Sequence, residues 1–260
     1  MQETEKILET LTSADEKDYA SRLMQVQLMV TQERYSEASW LLSKTEEAMA
    51  GSFDPALYCY DLYLTTLINR EESYIDEVAL QVERIYAQNP DNWRIAWLLL
   101  YLSEEYGKSP SAKWMVLEDQ YKLGCISPVL YIEAYNLMNA SPTLLMKLSG
   151  FELQVLTYAL KKGLLNPQIA EQIVFLSFKE KQYQEQVYQL LKKCCELVPS
   201  DEPLRAVCTL LIKGCKMDEE AFEWYAKGIE KQLRITRLYE YYMMSVKLSD
   251  RTVLPKIVLM

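Results

Sequence analysis

The stretch VYQLLKKCCELVP, residues 187–199, and its echo AFEWYAKG, residues 221–228, decide the fold. In the first, Val187, Leu191 and Cys194 stand four and three residues apart, and Pro199 follows five later. Those spacings put the three side chains on one face of an α-helix that the proline ends. Moving 34 residues along places Ala221, Tyr225 and Gly228 at the same three positions. A small or apolar face that returns at a fixed interval marks a stacked array, in which each helix pair buries its apolar side against its neighbours. The same spacing stands at Val78, Val82, Ile85 and Pro90, and in shorter form at Ala38 and Leu42.

Working outward, the punctuation agrees. All nine prolines fall at expected helix starts or between helices, and five directly follow a capping residue: Asp54-Pro55, Ser109-Pro110, Ser127-Pro128, Ser141-Pro142 and Asn166-Pro167. A short polar side chain accepts from the free amides of a first turn, and proline there costs no hydrogen bond. Lys161-Lys162-Gly163, Leu123-Gly124 and Tyr106-Gly107 read as stops, with glycine taking the left-handed turn. Between these marks apolar residues recur three and four apart, as in Leu23, Val26 and Val30. Fifteen helices are expected, among them 142–149, 151–162, 15–32 and 235–247.

The 34-residue interval is the period of tetratricopeptide (TPR) repeats. The expectation is an all-α fold, an α-solenoid of antiparallel helix pairs with degenerate TPR-like repeats and a right-handed superhelix. It forms one continuous helical-repeat domain over 1–260. The aromatic and glycine positions of the TPR first helix are mostly absent, and residues 128–166 keep no 34-residue register.

Three stretches, FELQVLTYAL (151–160), QLRITRLYEYYMMS (232–245) and LPKIVLM (254–260), resemble the helical region of a family of large bacterial proteins of unknown function. The resemblance covers the second half of the chain and carries no activity with it. It implies an internal piece of a longer protein. An apolar finish at Ile257, Val258, Leu259 and Met260 agrees, since a solenoid normally ends in a polar cap. That uncovered C-terminal edge also allows a homodimer.

Charge narrows the partners. The chain holds 28 Lys and Arg against 37 Asp and Glu, a net charge of −9. Residues 1–92 carry 7 basic and 18 acidic side chains, whereas residues 93–260 carry 21 and 19. The acidic balance repels phosphate backbones and anionic head groups, so neither nucleic acid nor membrane is expected as a partner. A basic partner facing the acidic third fits it, beside the plainer role of a solvated surface. No membrane-spanning run or signal pattern stands out, and six cysteines without a disulfide framework suit the cytoplasm.

Histidine is absent, which removes Ser-His-Asp, Cys-His and HExxH chemistry from this chain. Gly107-Lys108-Ser109 imitates the end of a phosphate-binding loop, but that loop needs glycine where Leu102 stands. Cys194, Cys195, Cys208 and Cys215 lack the Cys-x-x-Cys spacing of a zinc site and read as core thiols. Glu71-Glu72, Glu104-Glu105 and Asp218-Glu219-Glu220 sit at helix ends, where carboxylates are ordinarily solvated. No enzyme activity and no cofactor are expected.

The function expected is a protein-protein interaction scaffold that takes a peptide or partner helix in a concave groove lined by first helices. In the TPR-like register the groove-facing residues are Arg94, Trp97, Tyr101, Gln172, Lys179, Lys213 and Tyr239. A structural spacer between flanking domains and a ligand-sensing helical domain are the alternatives.

Overall fold

Proline and capping residues open the helices where their chemistry requires. Asp54 accepts from the amides of Ala56 at 2.8 Å and Leu57 at 3.2 Å, Ser109 from Ala112 at 3.3 Å, and Asn166 from Ile169 at 2.9 Å. Each such cap stabilises its helix by about 1 kcal/mol. At the other ends Gly124 and Gly163 take φ of +72° and +68°, the left-handed turn that a Cβ would strain.

The structure, a computed structural model, describes residues 2–15, 17–50, 54–69, 72–105 and 109–248. Among them are fourteen α-helices and no strand. Tyr106-Gly107, Glu71, Lys108 and the 254–260 run lie outside the described residues. No helix among the described residues is long and apolar enough to cross a membrane.

The chain clusters into two units, 1–130 and 131–260. The first holds α1 (Gln2–Ala14), α2 (Tyr19–Thr31), α3 (Tyr35–Met49), α4 (Pro55–Asn69), α5 (Glu72–Gln88), α6 (Trp93–Glu105) and α7 (Pro110–Lys122). The boundary falls inside α8 (Pro128–Ala140). In this unit α2, α4 and α6 pack side by side, while α3 lies against α2 and α4, and α5 against α4 and α6. Leu23, Val26, Leu64, Val82 and Ile95 are fully buried where these helices meet. Removing a side chain of that size from water contributes roughly 1.5–3 kcal/mol.

The second unit continues with α9 (Gly150–Lys161), α10 (Pro167–Ser177), α11 (Glu185–Leu197), α12 (Glu202–Lys213), α13 (Glu219–Glu230) and α14 (Leu238–Leu248). Here α10 packs on α11 and α12, and α12 on α13 and α14. The repeat positions Val187, Leu191, Cys194, Ala221 and Tyr225 are buried. Gly228 allows the next helix to close in, because a Cβ there would lie 3.2 Å from Cys208 Sγ and 3.3 Å from Leu238 Cδ2.

Three helix expectations need correction. The stretch 142–149 is not an α-helix: only Pro142–Leu144 turns, as one 3-10 turn. Leu145 and Leu148 are both drawn into the core while Met146 stays exposed, and Gly150 enters α9 at φ +60°. The last helix starts at Leu238 rather than 235, because Arg237 sits at φ +69°, outside helical backbone. The expected helix 15–32 likewise begins later, at Tyr19, where Asp18 accepts from the Ser21 amide at 3.1 Å and its hydroxyl at 2.6 Å.

A candidate binding cavity in the first unit

Side-by-side packing of α2, α4 and α6 turns one face of each helix toward a common cavity of about 380 Å³. Met24 and Gln27 come from α2, Leu57 and Tyr60 from α4, and Trp93, Arg94 and Trp97 from α6. The spacing Trp93–Trp97 and Leu57–Tyr60 is one helical turn, so each helix contributes a stacked pair. Val129 closes the wall.

Aromatic packing extends from this wall. The Trp97 and Tyr101 rings lie 4.6 Å apart, Tyr101 meets Tyr63 edge-on at 6.0 Å, and Tyr63 stacks on Tyr60 at 6.3 Å. The Tyr60 hydroxyl donates to Gln27 Oε1 across α4 and α2. Burial pushes that hydroxyl well above the usual tyrosine range, so it stays protonated. Arg94 is the charged side chain among the cavity-lining residues, and its guanidinium lies 5.0 Å from the Trp93 ring centroid. A cation on an aromatic face stays available to an anionic group while its flat side is desolvated.

On the same helix as Tyr60, Asp61 is buried, and its Oδ1 has no hydrogen-bond partner. Burial pushes its carboxyl up to about 7, with repulsion from Glu46 of α3 adding to the shift. The first unit therefore holds a carboxyl that favours its neutral form.

The seven groove residues expected from the sequence divide between the units. Arg94 and Trp97 wall the cavity, and Tyr101, 41% exposed, packs at a tilt beside Trp97. In the second unit Gln172 donates to the carbonyls of Pro142 at 2.8 Å and Leu145 at 2.9 Å. Lys213 donates to the carbonyls of Phe178 and Glu180. Lys179 lies 4.9 Å from the Phe175 ring centroid, and Tyr239 is half exposed on α14. Met24, Tyr60 and Trp93 were missed by sequence reasoning. Tyr60 and Trp93 carry a signal in their apolar one-turn spacing from Leu57 and Trp97, whereas Met24 on α2 carries none.

Burial keeps the cysteines of α11 and α12 as thiols. Burial pushes Cys194 and Cys208 up to about 12 and Cys195 up to about 11. Exposed Cys215 accepts a hydrogen bond from the Tyr241 hydroxyl at 3.2 Å. Among the described residues no three His, Cys, Asp or Glu side chains gather as metal ligands.

A family model described as the N-terminal part of a family of unknown function, DUF5717, matches residues 1–260. The chain belongs to that family, and the match runs through both units rather than the second half alone. Among curated proteins none matches the sequence.

Proposed function

We propose that this member of the DUF5717 family is a protein-protein interaction scaffold. Each unit is a degenerate TPR-like array of antiparallel helix pairs with a right-handed twist, and the cavity of the first unit seats an apolar anchor of a peptide or partner helix. The observation that carries the reading is the convergence of three consecutive first helices on one apolar wall, with Arg94 as its charge. Binding hot spots are built in this way, from Trp, Tyr and Arg around a pocket. Arg94 suits a carboxylate beside the anchor, whereas nucleic acid and membrane surfaces are disfavoured by the net charge of −9. Free thiols at Cys59, Cys194 and Cys208 fit work in the cytoplasm.

The test is affinity purification of the full-length protein carrying Arg94→Ala, Trp97→Ala and Tyr101→Ala together, beside the wild type. Loss of a defined subset of bound proteins supports the reading; an unchanged set of partners contradicts it.

The cavity volume favours a second reading. About 380 Å³ falls within the range of small-molecule pockets, so a ligand-sensing domain for an apolar metabolite fits the same walls. Native mass spectrometry separates the two: a stoichiometric small molecule released by Trp97→Ala would move the assignment to ligand sensing.

A further inference from the structure

A second surface of the first unit lies on its outer helices. In α3, α5 and α7 a pair of inward-facing residues recurs three apart: Leu42 and Thr45, Val82 and Ile85, Leu117 and Gln120. Two residues before each pair, on the opposite side of the helix, stand Trp40, Leu80 and Met115, which are 64%, 55% and 63% exposed. In the second unit the matching pairs are Leu191 with Cys194 and Tyr225 with Gly228. The residues two before them are Gln189 and Glu223, both exposed and polar.

One exposed hydrophobe on a protein surface is ordinary. Three at one register position of three successive helices, where the other unit puts polar side chains, form a recurrent row rather than scattered surface hydrophobes, and such a row points to a covering partner. Trp40 also walls a cavity of about 430 Å³ with Leu28, Met29, Leu41 and the ion pair of Arg34 with Glu37.

The charge around these side chains gives the occupant its sign. Helices α3, α5 and α7 carry nine Asp and Glu against four Lys and Arg. Lys44 and Lys122 are already paired within their own helices, with Glu47 at 2.7 Å and Glu118 at 3.4 Å. Asp76 and Glu77 are exposed one turn before Leu80.

We infer that the outer face of α3, α5 and α7 docks a basic amphipathic helix of a protein partner. Its apolar side chains cover Trp40, Leu80 and Met115, and its Lys and Arg meet the surplus carboxylates. The same carboxylates repel an anionic lipid surface. This surface is separate from the cavity and does not depend on it.

The probe is a fluorescein-labelled 18-residue helical peptide of Leu and Lys at amphipathic spacing, with a Leu and Glu counterpart, titrated by anisotropy against the whole chain. The Lys peptide should bind, the Glu peptide should not, and Trp40→Ser, Leu80→Ser and Met115→Ser combined should weaken binding about tenfold or more. Asp76→Lys with Glu77→Lys, which leaves the apolar side chains alone, should weaken it as well. The Arg94, Trp97 and Tyr101 variant should bind like wild type. Equal binding of the Glu peptide, undiminished binding by both outer-face variants, or loss confined to the cavity variant overturns the inference. So does a wild-type dimer in sedimentation that the triple serine variant converts to monomer, since the face then belongs to a second copy.

Discussion

The two units use the same helix-pair grammar to opposite ends. In the second, helices are short, with α10 to α13 running 11 to 13 residues, and the repeat returns after 34. Polar side chains there are committed to the unit's own structure: Gln172 and Lys213 satisfy backbone carbonyls, Trp224 Nε1 donates to the Tyr188 hydroxyl at 2.9 Å, and the Tyr225 hydroxyl to Lys216 O at 2.8 Å. In the first unit α3 and α4 have 15 residues and α5 has 17. The interval between equivalent positions Leu42 and Val82 stretches to 40, and aromatic and apolar side chains of this unit line a cavity and stand exposed on its other helices. Regular repeats favour mutual packing, and departures from regularity supply surface for something else.

The largest effects test whether both units rest on the same kind of core. Leu64→Ala in the first and Leu191→Ala in the second, each fully buried, should lower stability by about 2–5 kcal/mol in chemical denaturation. A variant that leaves the midpoint unmoved would remove its helix from the core. Gly214→Ala comes next, because a Cβ there would stand 2.6 Å from Tyr183 Cβ. It should cost about 1–3 kcal/mol through overpacking, read from the same denaturation curves.

Asp61 makes a prediction specific to the first unit. Its carboxyl sits near 7 when folded and near 3.8 when free, so the folded state holds the proton more tightly. Its contribution is fully present below pH 3.8 and is lost as pH rises through 7. Asp61→Asn should therefore gain on the order of 1–3 kcal/mol at pH 8 and nothing at pH 3.5, read from thermal melts at both pH values. An equal gain at both pH values would assign the effect to packing instead. Smallest is the contrast between two groove candidates. Gln172→Ala should cost about 1–2 kcal/mol because two carbonyls lose their donor, while Arg94→Ala should stay within about 0.5 kcal/mol. The reverse order would exchange the roles assigned to the two units.

Much of the fold was legible because its signals are local. Asp54-Pro55, Ser109-Pro110 and Asn166-Pro167 open helices by cap chemistry that needs no tertiary contact. The 142–149 stretch misled because its departure from helix is tertiary: Leu145 and Leu148 are claimed by the core, and the freed carbonyls are met by Gln172 from a later helix. Arg237 and Gln232 adopt positive φ without being glycine, which sequence does not announce. Half of the candidate site was legible for a related reason. Trp97 and Arg94 follow Pro90 at the repeat spacing, whereas Tyr60 and Met24 lie where the interval is not 34, and only packing shows that α2, α4 and α6 share a wall.

The most direct measurement is hydrogen-deuterium exchange on the full-length protein, free and with a co-purified partner bound. Recognition by the first unit is expected to slow exchange in α2, α4 and α6, across residues 19–31, 55–69 and 93–105, with the second unit unchanged. Protection confined to residues 167–213, with α2, α4 and α6 unaffected, would contradict it.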